Sequence, residues 1–284
     1  MPTELQVHHA SIRDQQRVRR LIEESRRSFA AFGLEDLPRL LAAGNCMVAD
    51  YDGTLWAFLC ASASHSGWAY LRGVAIKDGW RVDDGLTAVL VPLLDHLRER
   101  GMSHLAVYGT ALWLAPSLTR AGFERWEWIV SLERHPRPVA DLPASSAVLR
   151  PVGGHDLAPL STLDHAAFEP PFQLTSGELV EHMVTSGFFM LAKAPETGLV
   201  GYVCADVVGD TGQIIRLAVH PAARKQGIGR ALLNDALAYC QSNGAHRVTI
   251  NTQESNTISL SLYEQFGFRR VGRRVPLLVR EVAS

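Results

Sequence analysis

The chain has 284 residues, of which 47% are hydrophobic and 20% are charged, and its formal net charge is −1. This composition is typical of a globular protein and excludes a disordered or fibrous chain. The 28 basic residues do not exceed the 29 acidic ones, whereas a nucleic-acid-binding protein usually has a clear basic excess. No uncharged apolar run is long enough to cross a bilayer. We therefore expect neither a nucleic-acid partner nor a membrane partner.

The first half of the sequence predicts a strand, a helix, further helical turns, three strands, and then a helix, a strand, a helix and a strand. The main helix carries its leucines on one face at helical spacing, namely Leu86, Leu90, Leu93, Leu94 and Leu97. Residues 136–146 follow, with three prolines, two serines and no apolar period. Such a composition is typical of an exposed linker.

The second half predicts the same order of elements. Its predicted strands and helices are Val148 to Arg150, Asp156 to Phe168, Phe188 to Ala194, Leu199 to Val208, Ile214 to Val219, residues 230 to 243, Arg247 to Asn251 and a short helix capped by Asn256. We expect that short helix to turn Ile258, Leu262 and Phe266 to the core. Pro276 to Glu281 has the pattern of a final strand.

The two halves resemble each other at a near-constant offset of 142 to 145 residues. The best-matching segments are Leu55–Ala61 with Leu199–Ala205, Val74–Ile76 with Leu217–Val219, and Ala121–Phe123 with Phe266–Phe268. A constant offset over half the chain indicates one structural plan used twice. We predict an α/β fold with a domain at 1–135, a linker at 136–146 and a domain at 147–284.

A basic, glycine-containing loop follows a buried strand in the second half and leads into an apolar helix. The first amides of a helix have no partner within it, and the helix dipole adds positive charge there. Gly227 and Gly229 let an anion approach the backbone, and Arg224, Lys225 and Arg230 supply cationic charge. Together these features predict a pyrophosphate site.

Two other phosphate-binding loops fit this sequence poorly. A dinucleotide fingerprint needs a glycine or alanine at position 232, where this chain has leucine. No Gly-Lys-Ser or Gly-Lys-Thr follows the glycines, as an NTPase loop requires.

The segment from Arg224 to Gly229 resembles the Arg/Gln-x-x-Gly-x-Gly/Ala signature of the GNAT superfamily of acyl-CoA N-acyltransferases. Asn256 to Phe268 resembles that family's N-x-x-[S/A]-x-x-L-Y-x-x-x-G-F motif. The two motifs occur in the family's order, with one helix and one strand between them. The resemblance implies two tandem GNAT-like domains, each with a mixed, mainly antiparallel central sheet flanked by helices.

The resemblance also implies roles for individual residues. Backbone groups of Leu217 and Val219 are expected to pair with the pantetheine arm, and Asn256 to lie beside it. Tyr263 is expected to act as the general acid that protonates the departing thiolate. The full set of implied cofactor-binding residues is Leu217, Ala218, Val219, Arg224, Lys225, Gln226, Gly227, Ile228, Gly229, Arg230, Asn256 and Tyr263.

The function that follows is direct transfer of an acetyl group from acetyl-CoA, or of another short acyl group, to a primary amine. The resemblance calls for no metal. The acceptor is a small molecule, slightly favoured, or a protein N-terminus. Many relatives have a glutamate on the strand that enters the loop, where this chain has Gln213. The general base therefore stays open between Asp206, His220, Glu254 and a water chain.

The first half departs from the motifs at several positions. The repeat places Asp83 and Asp84 where the second half has Gln226 and Gly227, and carboxylates repel a bound pyrophosphate. We therefore expect the first half not to bind CoA in the usual way. The missing glutamate leaves a second hypothesis, a non-catalytic acyl-CoA sensor. The four cysteines form no Cys-x-x-Cys pair, so a cytoplasmic location is the simplest expectation.

Overall fold

A computed structural model describes residues 5–64, 66–135, 147–195 and 197–282. The chain divides into two compact units. The first unit comprises Met1–Trp126 with Pro276–Ser284, and the second comprises Glu127–Val275. The predicted linker at 136–146 lies outside the described residues. No helix among those residues has the length and apolar character needed to span a membrane.

The order of strands and helices is the one expected from the sequence except for β2, which lies where the sequence predicted only helical turns. The strands are β1 Gln6–His9, β2 Arg27–Ala30, β3 Cys46–Tyr51, β4 Thr54–Ala63, β5 Trp68–Ile76, β6 His104–Tyr108, β7 Glu124–Arg134, β8 Val148–Pro151, β9 Phe188–Ala194, β10 Gly198–Val208, β11 Thr211–Val219, β12 Arg247–Gln253 and β13 Arg269–Glu281. The helices are α1 Gln15–Glu24, α2 Leu37–Ala42, α3 Val82–Glu99, α4 Ala115–Arg120, α5 Leu157–Ala167, α6 Ser176–Thr185, α7 Ile228–Ser242 and α8 Thr257–Gln265.

The sheet of the first unit has the strand order β1-β3-β4-β5-β6, followed by the end of β13. β5 and β6 pair in parallel at Trp68–Tyr70. The remaining neighbours along this order pair antiparallel. β2 lies off the path and pairs with β5.

The sheet of the second unit repeats this plan, with the order β8-β9-β10-β11-β12 followed by β7. β11 and β12 form the parallel pair, and the other neighbours are antiparallel. Each unit therefore has a mixed, mainly antiparallel sheet flanked by helices, and the predicted fold class is confirmed.

The last strand of each sheet comes from the other half of the sequence. In the first unit, Leu277–Glu281 of β13 pair with β6. In the second unit, Ile129–Arg134 of β7 pair with β12. The compact units differ at these two segments from the predicted division into 1–135 and 147–284, because the backbone partner decides which sheet a strand joins.

The core of the second unit lies between its sheet and α7. The apolar face predicted for this helix is fully buried, namely Leu232, Leu233, Ala236, Leu237 and Cys240, so this prediction is confirmed. For α8 the prediction is wrong in part, because Ile258 is 62% exposed. Leu260 and Tyr263 are buried instead, since positions three apart share one face of a helix.

Candidate active site

A gap opens between two neighbouring strands of the second unit. β11 pairs with β12 from Thr211 to Ile214, and beyond that point β10 is its only strand partner among the described residues. Its register with β10 passes from Ile214 opposite Ala205 to Arg216 opposite Cys204, so Ile215 is an extra residue in β11. Such a bulge bends a strand and increases its twist, and here it lies where β11 leaves β12.

Backbone groups on the last residues of β11 point into this gap. The His220 N–H donates to the Val200 carbonyl at 2.8 Å, and Ala218 lies opposite Tyr202 in the same register. In an antiparallel pair, every second residue directs its N–H and C=O away from the partner. Leu217 and Val219 are those residues. A ligand lying in the gap can therefore add to β11 as a strand does.

The loop after β11 contains two residues in the left-handed region. Lys225 has φ 63° and Gly227 has φ 78°. Glycine adopts this conformation without strain, whereas a side chain such as lysine rarely does. His220 begins the loop, where its ring Nδ1 accepts the Ala222 N–H at 3.3 Å and so supports the first turn.

The loop ends at the uncapped N-terminus of α7. Gly227 is the N-cap residue, and no side chain caps this end. The first helical bond runs from Ala231 N–H to the Gly227 carbonyl at 3.0 Å. The amides of Ile228, Gly229 and Arg230 precede that bond, and the helix dipole adds positive charge beside them. This geometry is suited to an anion such as a pyrophosphate.

The loop arginines have mainly structural contacts. The Arg224 guanidinium donates to the carbonyls of Val219 at 3.4 Å and Ala167 at 3.3 Å, which ties the loop to α5. Arg230 donates to Gln265 Oε1 at 2.7 Å, which joins α7 to α8. Lys225 and Gln226 are exposed. Both residues directly precede Gly227 at the N-terminus of α7.

α8 provides the remaining predicted residues. Asn256 Oδ1 accepts the Ser259 N–H at 3.1 Å, so its expected capping role is confirmed. Tyr263 is 4% exposed and lies within the core beside Phe268. Burial raises the pKa of Tyr263 to about 12, although a hydrogen bond with Ser259 lowers it in part. The phenol is therefore protonated at neutral pH, which a general acid requires.

The proposed bases differ in their surroundings. Glu254 accepts from Arg270 at 2.9 Å and from Arg274 at 2.7 Å, and this pairing, chiefly with Arg274, holds the pKa of the Glu254 carboxyl below its usual range. Asp206 Oδ1 accepts the Val207 N–H at 2.8 Å, and Asp206 lies opposite Gln213. Glu254 is thus a weaker base than a glutamate without such partners.

A buried polar cluster lies next to the bulge, and it was missed in the sequence. The Arg216 Nε donates to Asp164 Oδ1 at 2.7 Å and contacts the Tyr202 hydroxyl at 2.8 Å. The Tyr202 hydroxyl also donates to Asp164. The connection between α5 and α6 joins the cluster through the Phe172 carbonyl and the Leu174 N–H. The available signal was an arginine inside an otherwise apolar strand.

The corresponding positions in the first unit have a different structure. α3 begins at Val82, whereas the offset of 143 matches the start of α7 to Gly85, so helix replaces the loop. Asp83 at this end is bound by Arg120 at 2.8 Å. β2 pairs with β5 at Val74 to Ile76, the residues that match Leu217 to Val219. In this unit a strand of the chain itself therefore occupies the edge that is open in the second unit.

Comparisons with known proteins agree with this geometry. Residues 157–268 match the model of the Acetyltransferase (GNAT) family, and this part of the chain belongs to the GNAT superfamily. A structure described as "Tandem GNAT protein from the clavulanic acid biosynthesis pathway" aligns with a TM-score of 0.64 and 17% identity, over 99% of each chain. The fold of the whole chain is thus that of a tandem GNAT protein.

Two curated relatives are similar over part of the chain. A mycothiol acetyltransferase from Arthrobacter sp. (strain FB24) is 28% identical over 160 residues, which cover 52% of this chain and 50% of the relative. A putative [ribosomal protein bS18]-alanine N-acetyltransferase from Bacillus subtilis (strain 168) is 33% identical over 76 residues, which cover 27% of this chain and 50% of the relative. The chain thus spans about half the length of each of these relatives.

Proposed function

We propose that the second unit is an acetyl-CoA-dependent N-acetyltransferase that moves an acetyl group directly to a primary amine. One observation carries this proposal: the gap beside β11 leads to the uncapped N-terminus of α7. The pantetheine arm has amide groups that can pair with Leu217 and Val219 like an added strand. The pyrophosphate then meets the amides of Ile228 to Arg230. These residues fit acyl-CoA, and the same fit applies to other short acyl chains.

The residues of the chain act by binding, orientation and proton transfer. The donor supplies an activated acyl group as its thioester. β11 and the loop hold that donor in one position, and holding two reactants in line lowers the barrier by several kcal/mol, on the order of 7–11 in the best cases. Tyr263 keeps its proton at neutral pH because it is buried, and it gives that proton to the departing thiolate. No group of three or more His, Cys, Asp or Glu side chains within the described ranges could hold a metal ion.

The amine must lose a proton before it can attack, since most primary amines are protonated at neutral pH. Gln213 cannot take that proton. Glu254 is a poor candidate because two arginines stabilise its carboxylate. Asp206, His220 and a water chain therefore lead the candidates. The kcat values of Asp206→Asn and His220→Gln distinguish them, because each change removes one of the two side-chain bases.

The acceptor belongs to one of two classes. The names of the relatives support both, since one is a mycothiol acetyltransferase and the other an alanine N-acetyltransferase of a ribosomal protein. We favour a small molecule slightly, because the alignment with the mycothiol acetyltransferase covers more of this chain. The four cysteines are free and buried, which supports the proposal of a reducing, cytoplasmic location.

Gln213 favours a second candidate function, an acyl-CoA sensor without turnover. The test is calorimetric titration of the full chain with acetyl-CoA, followed by a screen of small amines and N-terminal peptides. One binding site and acetylation of an amine are expected. Binding without acetylation of any amine in a broad panel would support the sensor, and the absence of binding would refute both candidates.

A further inference from the structure

One face of β12 presents polar side chains beside the gap. Val248 and Ile250 are buried in the core beneath α7. Side chains alternate between the two faces along a strand, so Thr249 and Asn251 lie on the opposite face of the sheet. Thr249 is half-buried and Asn251 is exposed. This strand is therefore polar on one face and apolar on the other.

The neighbouring strands extend the polar face on both sides. Gln213 of β11 lies opposite Thr249, and Ser131 of β7 lies opposite Asn251. Cross-strand partners share a face, with Cβ atoms about 4.5–5.5 Å apart. These four residues form a surface that we call the polar patch. Glu133 of β7 also lies opposite Thr249, at the border of the patch.

The polar patch lies on the side from which an amine can reach the donor. β11 separates from β12 after Ile214 and Ile250. A donor whose pyrophosphate meets the N-terminus of α7 therefore places its acyl end towards this junction. On the α7 side the junction is filled by the buried side chains of Ile214, Val248 and Ile250. The amine must approach from the opposite face, where Asn251 is the first residue of β12 beyond the junction.

The polar patch offers hydrogen-bonding groups without charge. Its two amides and two hydroxyls can each donate and accept. The side chains of Gln213, Asn251 and Ser131 have no hydrogen-bond partner among the described residues, whereas Thr249 Oγ1 donates to the Gly212 carbonyl at 3.3 Å. Hydroxyl groups of a ligand have the same dual character and need no opposite charge. A spacing of about 5 Å between partners suits hydroxyls distributed around a small ring.

A peptide acceptor fits this surface less well. Residues 248–253 of β12 pair with β7, and β11 pairs with β10, so their backbone groups on those sides are already bonded. The remaining backbone edge, at the gap, is the one that the donor occupies. An extended peptide gains its affinity from backbone pairing at a free sheet edge, and these strands leave none beside the polar patch.

We propose that the acceptor is a small polyhydroxylated amine, such as an amino sugar, whose hydroxyl groups bind the polar patch while its amine faces the junction of β11 and β12. The inference rests on the proposed function, because it names the acceptor class of the same acetyl transfer. The amine nitrogen bonds to the acetyl carbon and the carbon–sulfur bond breaks. The proton that the nitrogen loses replaces the one that Tyr263 gives to the thiolate, so the products are an amide and a free thiol.

The first experiment compares acceptor classes with the full chain. Glucosamine, galactosamine, cyclohexylamine and an alanine-initiated peptide are each supplied with acetyl-CoA, and DTNB measures the thiol released. Rates are compared at equal concentrations of unprotonated amine, because ring hydroxyls change its basicity. For an amino sugar, kcat/KM is expected to exceed the value for cyclohexylamine and for the peptide about 100-fold or more, because a site built for hydroxyls rejects analogues that lack them.

The second experiment replaces a residue of the polar patch by an apolar one. Asn251→Leu is expected to raise KM for the amino sugar about tenfold or more, while the dissociation constant of acetyl-CoA is unchanged. Asn251 is exposed, so the core is not disturbed. Gln241→Leu, at an exposed position near the C-terminal end of α7, is the control and keeps the natural KM.

The outcomes separate this inference from the proposed function. Acetylation of cyclohexylamine or of the peptide as efficiently as of the amino sugars would overturn the inference and leave the enzyme function intact. Equal KM values for Asn251→Leu and Gln241→Leu would do the same. Binding of acetyl-CoA without acetylation of any of these amines would instead refute the acetyltransferase function, and the inference with it.

Discussion

Replacement of Gly227 by aspartate tests the anion site at the start of α7. A Cβ at this position meets no atom within 4 Å, so steric clash does not contribute. The left-handed backbone, with φ 78°, costs any other side chain about 1 kcal/mol. A carboxylate about 5 Å from a bound phosphate adds roughly 3 kcal/mol of repulsion per charge pair at an effective dielectric constant of about 20. The dissociation constant of acetyl-CoA is therefore expected to rise about 100-fold or more.

The matched control is Gly227→Ala, which has the same backbone cost without the charge. We expect Gly227→Ala to lower thermal stability at least as much as Gly227→Asp, whose carboxylate is favoured at a helix N-terminus, and to change the dissociation constant by only a few fold. Calorimetry measures both variants, and added salt should weaken the difference between them because it screens the repulsion. If Gly227→Asp binds acetyl-CoA as tightly as Gly227→Ala, the assignment of the pyrophosphate to this helix terminus is refuted. Asp84→Gly in the first unit is expected to leave the count at one site.

Three further predictions concern catalysis and stability. Tyr263→Phe is expected to lower kcat about 100-fold with an accepted amine while the affinity for acetyl-CoA is kept; an unchanged kcat would exclude Tyr263 as the acid. Asp164→Asn leaves the charge of Arg216 buried without its partner, so urea unfolding should show a loss of about 3–5 kcal/mol in the free energy of unfolding. A loss no larger than that of the exposed control Asp210→Asn would contradict this. The Arg150 guanidinium is the main cause that lowers the pKa of Asp156 from 3.8 to about 2. The stabilisation from this ion pair is therefore present at neutral pH and lost as the pH falls from about 4 to about 2. Asp156→Asn should flatten the curve of stability against pH between about pH 4 and about pH 2. An unchanged fall in stability over that range would count against the ion pair.

Local features of the chain could be predicted well. The constant offset between the halves implied one topology used twice, and both sheets have it. Gly227 was expected in the loop before a helix, and its backbone there is left-handed, with φ 78°, which glycine adopts without strain. The left-handed Lys225 carried no such signal, because a lysine rarely adopts this conformation. Ile258 was misplaced because apolar residues occur on more than one face of α8.

Features that join distant segments could not be predicted. Tyr202 and Asp164 are 38 residues apart in sequence, and only the completed sheet brings them into contact with Arg216. The pairing of β2 with β5 was equally hidden, because a strand pattern shows which face of a strand is buried and not which neighbour it joins. The same limit applied to β7 and β13, whose partners are decided by the fold as a whole.

Each half of the sequence supplies the last strand of the sheet formed by the other half. This arrangement limits how such a chain can change in evolution. A cut anywhere between residues 136 and 146 leaves Ile129–Arg134 on one piece and their partner β12 on the other, and it parts Leu277–Glu281 from β6 in the same way. Each piece would then expose a bare strand edge, which invites aggregation. Neither half of the sequence can therefore be removed without leaving an unpaired strand edge in the other. The second unit therefore depends on a strand that the first half of the sequence supplies.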